Sequence, residues 1–242
     1  MFNEQANAER CVRRISEVLR TTSPTGKFIV VDDGSGDRTR AILRGLEEEF
    51  SALTVVEHPR NQGYGAALVT GIRTAAEIGI GYVLFMDSDL TTDPKYIPDF
   101  VEKMRGDYDV IKATPYSLGG VMSGVPARRV WTSRIGNLVA RMLFRLPISD
   151  CTNGFRAVKV DLLARIPFQE RAFAIIMEEL YHLSATARTF SEVPYVLTSR
   201  GADQGVSRFV YRPKVFFQYL KYAVLSLVRP PHVGAVIPME KR

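Results

Sequence analysis

The chain has 242 residues, 46% of them hydrophobic and 24% charged, a balance that excludes disordered, collagen-like and coiled-coil classes. Its 32 Lys and Arg against 26 Asp and Glu leave a formal charge of +6, which favours anionic partners, whether phosphorylated ligands, anionic lipid or nucleic acid. The only cysteines, Cys11 and Cys151, lack metal or redox spacing, so neither a disulfide framework nor a zinc site is expected and a reducing cytoplasm is the expected compartment.

Apolar spacing from Ala8 through Val12, Ile15 and Leu19 predicts an opening helix. KFIVVDD then reads as a buried strand and Arg38 to Phe50 as a second helix. The alternation continues with strand LTVVEH, helix GAALVTGIRTAAEIG, strand GYVLFMD, helix PKYIPDFVEKM and strand DVIKA. Strands alternating with helices imply an α/β fold, a mostly parallel sheet flanked by helices and built from right-handed crossovers. A doubly wound sheet usually opens with a strand, yet the first helix here starts within a few residues of Met1, so the leading strand is missing from this plan. From Thr114 the regularity changes to a loop rich in Gly, Pro and Ser, and a helix is expected over Arg128 to Arg145. The expectation is a single domain: a nucleotide-binding half over 1–113, an elaborated acceptor half over 114–208, and a C-terminal helix and tail over 209–242.

In open parallel sheets, ligands bind beyond the carboxyl ends of the strands. Two acidic clusters fall at such ends: Asp32 and Asp33 after FIVV, and Asp87 and Asp89 after YVLFM. Four carboxylates converging on one crevice repel each other, so a divalent cation, Mg2+ or Mn2+ bridging a diphosphate, is the expected companion. In DDGSGD a turn needs only one of the two adjacent aspartates, which leaves the other to accept hydrogen bonds from a base or ribose. NQGYGAA places Gly63 and Gly65 ahead of a small-residue helix, either to approach a ligand or simply to pack closely. No Walker loop exists in the chain, and His58, His182 and His232 have no acid or serine in register, so a hydrolase triad is not expected.

FNEQAN at residues 2 to 7, VVDDGSGDRT, NQGYGAA, FMDSDLTTDP, SDCTNGFR, EEL and SRGADQGVSRF, in that order, together resemble the metal-dependent family-2 glycosyltransferases of the GT-A fold, specifically the dolichol-phosphate mannosyltransferase-like group. The resemblance implies inverting transfer of a hexosyl group from a nucleotide diphosphate sugar, with no nucleic-acid partner. It assigns Phe2, Glu4 and Asp33 to the nucleotide, Asp87 and Ser88 to ribose and diphosphate, and Asp89 to the metal, with Asp87 beside it. Thr91 stands where the group often has Gln.

On the acceptor side, Arg129 and Ser133 lie four apart, hence on one helical face, where a guanidinium and a hydroxyl can clamp one phosphate. A polyprenyl phosphate acceptor needs positioning by Arg129, Ser133 and Arg200 rather than a base, whereas a hydroxyl acceptor needs a carboxylate, with Asp150 and Glu178 as candidates. Glu178 follows an apolar run, and Arg156 is its expected partner in the core. The expected site is the cytoplasmic membrane face, reached by peripheral contact through a helix starting at Pro213, whose Phe216 and Phe217 stand among Arg208, Arg212, Lys214, Lys221 and Arg229. Two other readings remain open: the same fold acting on a soluble or saccharide hydroxyl, which Pro115 favours, and a nucleotide-sugar-binding protein without turnover.

Overall fold

The computed structural model describes residues 1–123, 127–198 and 213–228. The elements run α1 (Ala8–Thr22), β1 (Phe28–Asp32), α2 (Thr39–Glu49), β2 (Leu53–Glu57), α3 (Tyr64–Glu77), β3 (Tyr82–Phe85), α4 (Ile97–Arg105), β4 (Val110–Thr114) and β5 (Val121–Ser123). They continue with α5 (Ala127–Phe144), β6 (Arg156–Lys159), α6 (Val160–Leu163), α7 (Ile175–Thr186), β7 (Phe190–Pro194), β8 (Val196–Thr198) and α8 (Pro213–Val228). The strands and helices expected through Thr114, and the helices at α5 and α8, all form.

β1 and β2 pair in parallel from Phe28↔Leu53 to Asp32↔Glu57. Helices α1 and α2 cover one face of this pair, with Ala8, Val12, Val30, Leu43, Leu46 and Leu53 in one buried cluster, while α3 packs against β1 from the other side. Burying each such aliphatic side chain contributes about 1.5–3 kcal/mol, so the apolar spacing that makes α1 and α2 amphipathic also holds them on the sheet. A second sheet runs β3-β6-β4-β7. Phe100 of α4 meets Ile111, Ala113, Phe155 and Val193 on one side of it, and Ile72, Leu163 and Leu183 meet Phe85, Val110 and Val158 on the other.

This second sheet departs from the mostly parallel plan. β6 lies antiparallel between β3 and β4, with Phe85↔Arg156 and Val110↔Val158 in register, while β4 and β7 are parallel. RAVK carries no strand signal of its own in the pattern of alternating elements, because it is four residues long and owes its strand form to the two neighbours that flank it. The first sheet is thus parallel and the second mixed, both flanked by helices, the GT-A type of architecture. The third helical layer joins α5, α7 and α8 through Ala140, Phe144, Met177, Leu180, Tyr222 and Ala223.

Candidate active site

A cleft of about 1110 Å3 opens where β1 and β3 leave their sheets, and its walls include Phe2, Glu4, Asp33, Asp87, Ser88 and Asp89, with Ser133 reaching it from α5. The amino-terminal loop is stapled to the DDGSGD turn: Asn3 N–H donates to Ser35 Oγ at 2.9 Å, and Gly36 N–H donates to Asn3 Oδ1 at 2.8 Å. Asn3 holds this geometry in the left-handed region at φ 51°. Glu4 Oε2 accepts from Asn7 Nδ2 at 2.7 Å, and the Glu4 carbonyl accepts from Asn7 and Ala8 N–H, closing the start of α1.

The two adjacent aspartates divide their work. Asp32 is fully buried and turns away from the cleft, accepting from Ser35 N–H, from the Ser35 hydroxyl, and from Arg40 Nε at 3.2 Å. Asp33 lines the cleft, and its carboxylate also accepts from Gln62 N–H at 2.8 Å and Gly63 N–H at 2.9 Å. His58 Nδ1 sits 2.7 Å from Asp33 Oδ1 and its Nε2 sits 2.9 Å from Thr70 Oγ1. Asp33 therefore anchors the NQGYG loop as well as facing the cleft. Gly63 adopts φ 100°, and a Cβ there would lie 2.4 Å from the Arg171 carbonyl. The glycines of that loop serve the close packing of backbone on backbone, since Gly65 N–H also donates to Arg171 O at 2.8 Å.

On the β3 side, Asp89 is buried and its Oδ1 accepts from Thr91 N–H at 2.9 Å and Thr91 Oγ1 at 2.6 Å. Thr91 also lines the cleft, so it orients this carboxylate. Asp87, Asp89 and the hydroxyls near them form an all-oxygen donor set that suits Mg2+ or Mn2+ rather than a soft metal. Among the described residues no three His, Cys, Asp or Glu gather as a self-sufficient metal cage.

Ser133 accepts from Tyr116 Oη at 2.7 Å, which leaves its own proton free to be donated. Arg129 stands one turn earlier on α5. Arg200 lies outside the described residues.

The profile of glycosyl transferase family 2 matches residues 1–166. The chain belongs to glycosyl transferase family 2. An undecaprenyl-phosphate mannosyltransferase of Micrococcus luteus is 26% identical over 185 residues, covering 75% of this chain and 76% of that one. A polyprenol monophosphomannose synthase of Mycolicibacterium smegmatis is 26% identical over 211 residues, covering 86% and 77%. Among solved structures, glucosyl-3-phosphoglycerate synthase of Mycobacterium tuberculosis with Mn2+, UDP and glucosyl-3-phosphoglycerate superposes with TM-score 0.64 at 20% identity, covering 96% of this chain and 78% of that one. The same synthase with Mg2+ and UDP also gives 0.64, at 21% identity. These structures share the fold.

In this glycosyltransferase the two carboxylates considered as bases sit in walls of hydrogen-bond donors. Asp150 is buried, its Oδ1 accepting from Thr152 N–H at 2.9 Å and Asn153 N–H at 3.0 Å. Burial pushes its pKa up, against the opposing charge of Lys112. Glu178 receives Gln169 N–H and Glu170 N–H, each at 2.9 Å, on its two oxygens, and burial raises its pKa as well. Neither lines the cleft described above.

Arg156 is not the partner of Glu178. Its guanidinium makes a fully buried fork with Glu179 and lies 4.2 Å from the centre of the Phe85 ring. Adjacent helix positions point about 100° apart, and the face that meets β6 carries Glu179. Sequence reasoning also passed over two supports of the site. His58 had no acid in register but finds Asp33 across the β1–β2 pair, and Lys112 is buried on β4 with its Nζ donating to Asn153 O at 2.6 Å. Burial lowers the Lys112 pKa to about 8. A lysine inside an otherwise apolar strand, VIKAT, was the available signal.

Proposed function

We propose that this glycosyltransferase moves a hexosyl group from a nucleotide diphosphate sugar to a polyprenyl phosphate, with inversion, at an anionic membrane surface. The observation that supports an already anionic acceptor is the placement of Asp150 and Glu178: neither carboxylate lines the cleft, and backbone N–H groups hold Asp150 Oδ1 and both oxygens of Glu178. A phosphate oxygen is charged near neutral pH and attacks without losing a proton. The polyprenyl-phosphate names of the two relatives described above point the same way.

Phe2, Glu4 and Asp33 flank the position for the base and ribose, and Asp87 and Ser88 that for the ribose and diphosphate. Asp87 and Asp89 would hold Mg2+ or Mn2+, which when bound neutralises charge developing on the departing nucleoside diphosphate. Ser133 donates its hydroxyl proton toward the acceptor phosphate, held in orientation by Tyr116, and Arg129 one turn away adds a guanidinium. Arg200 would close the phosphate site. Holding the acceptor phosphate on the α5 side of the cleft and the diphosphate on the β3 side sets up attack from the face opposite the leaving group.

The test compares polyprenyl phosphate with the dephosphorylated polyprenol across nucleotide-sugar donors in the presence of Mg2+ or Mn2+. Metal-dependent transfer to the phosphate and none to the alcohol is expected. Efficient transfer to polyprenol or to a free saccharide overturns the reading. Arg129→Ala should lower acceptor kcat/KM by tenfold or more, about 1.4 kcal/mol, while calorimetry finds donor affinity unchanged; equal losses would place Arg129 on the donor side.

A further inference from the structure

Behind Asp33 runs a short chain of polar side chains. Asp33 Oδ1 lies 2.7 Å from His58 Nδ1, and His58 Nε2 lies 2.9 Å from Thr70 Oγ1 on α3. A hydroxyl, an imidazole and a carboxylate in this order are the parts of a nucleophilic triad. Neither Thr70 nor His58 lines the cleft, however, and only the Asp33 end does. The chain therefore acts on Asp33 and not on a substrate at Thr70.

The Asp33 carboxylate is nearly saturated. Oδ1 accepts from Gln62 N–H at 2.8 Å and faces His58, and Oδ2 accepts from Gly63 N–H at 2.9 Å. Two carboxylate oxygens offer about four acceptor positions, so one remains, on Oδ2, for an occupant of the cleft. Its direction depends on the rotation of the carboxylate plane, which is a soft torsion in aspartate. His58 is the firm stop against that rotation: it is buried, its N–H donates to Asp32 O at 2.8 Å, and its carbonyl accepts from Arg40 Nη2 at 3.3 Å.

His58 can hold Asp33 only with a proton on Nδ1. In a neutral imidazole one nitrogen donates and the other accepts, so the alternative tautomer would turn a lone pair toward the carboxylate. Thr70 selects between them, because its O–H donated to Nε2 leaves the ring proton on Nδ1. A helical threonine commonly gives its hydroxyl to the carbonyl four residues earlier, as Thr74 does to Thr70 O at 3.0 Å. Thr70 turns its own hydroxyl to His58 instead.

We infer that Thr70 and His58 are positioning residues for the donor nucleotide: Thr70 fixes the Nδ1–H tautomer of His58, and His58 sets the plane of Asp33 so that its last acceptor position faces the base or ribose. This role rests on the donor site proposed above.

Nitrogen NMR of the His58 ring in the 242-residue chain, at mildly alkaline pH, reads the tautomer directly. A proton on Nδ1 alone is expected; a proton on Nε2 alone, or on both nitrogens, overturns the proposal. Calorimetry with UDP and with GDP, each with Mn2+, reads the consequence. Thr70→Val keeps the shape of the side chain without its proton, and should weaken the nucleotide that the parent binds about tenfold, while Thr70→Ser stays within about twofold. His58→Asn places an N–H donor near the Nδ1 position and has no tautomer to choose, so Thr70→Val added to it should cause no further loss. A loss that persists in the double variant marks a merely structural threonine and overturns the proposal. If His58→Asn does not fold, NMR of Thr70→Val decides: a ring proton that stays on Nδ1 alone overturns it. A parent that binds neither nucleotide overturns the donor site and this role with it, whereas binding in the parent with no loss in Thr70→Val overturns this role alone.

Discussion

Single side chains here do different work from what their position along the chain suggests. Asp89 is a buried carboxylate at a strand exit, held by Thr91, and its removal opens no core cavity. Asp89→Asn is therefore expected to fold with a melting temperature close to the parent and to lose most metal-dependent turnover, at least a hundredfold or about 2.7 kcal/mol. Turnover equal to the parent in excess metal would remove Asp89 from the metal site. Lys112 makes a pH-dependent prediction. Its folded pKa of about 8 lies below the unfolded value near 10.5, so between those values the unfolded chain binds the extra proton and stability rises with pH. Below about pH 8 both states are protonated, and the destabilisation is fully present. Denaturant titrations of the parent and Lys112→Met should thus show the parent gaining stability relative to the variant from pH 8 to 10; a parallel pair of curves would show that Lys112 does not titrate in this window.

Glu178 shows how one carboxylate can organise an element. The segment 169–171 carries no regular structure of its own, yet it packs against Gly63 and Gly65 at the start of α3. Glu178 on α7 holds its backbone, and Tyr222 on α8 donates to Glu170 Oε1 at 2.9 Å. The donor-side loop, α7 and α8 are therefore tied by one set of hydrogen bonds. Glu178→Ala removes the acceptor of the part-buried Gln169 and Glu170 N–H groups, at about 1 kcal/mol each, or a fall in melting temperature of a few degrees for a domain of this size. Glu178→Gln keeps one oxygen and should lose about half as much. Loss of kcat with unchanged melting in Glu178→Ala would instead give Glu178 a direct part in the chemistry.

At the scale of the molecule, one surface stands out by its exposure of large apolar side chains. Trp131, Ile135, Leu138 and Met142 on α5 are 64%, 59%, 53% and 60% exposed, and Phe217, Val224 and Val228 on α8 are 68%, 44% and 70% exposed. The opposite faces of these helices are packed through Ala140, Tyr222 and Ala223, so the exposed stripes are in excess of what the core uses. Exposed Arg128, Arg134, Arg141 and Arg145 lie beside the α5 stripe, and no helix among the described residues is long and apolar enough to cross a membrane. Apolar stripes flanked by arginine suit an anionic lipid surface, each nearby basic residue contributing about 1 kcal/mol. Trp131 is the chain's single tryptophan, which makes the test direct. Its emission should shift to the blue with anionic vesicles, reverse with salt and stay unchanged with neutral vesicles, and Ile135→Ser with Phe217→Ser should abolish flotation in a protein that still folds. Emission unchanged by anionic vesicles at low salt would reject the membrane contact.

Sequence alone determined the alternation of elements, because FIVVD, LTVVE and YVLF are short β-branched or apolar runs bounded by turn residues, and their form depends on neighbours a few positions away. It also determined that Asp33, Asp87 and Asp89 leave strands at their carboxyl ends, since that follows from order along the chain. Only the tertiary structure decided which acid of the pair Glu178 and Glu179 meets Arg156, that His58 reaches Asp33, and that β6 runs against its neighbours. Those outcomes rest on contacts between residues far apart in sequence, where a rotation of about 100° along a helix or one reversed strand redirects a side chain, and no local pattern records it.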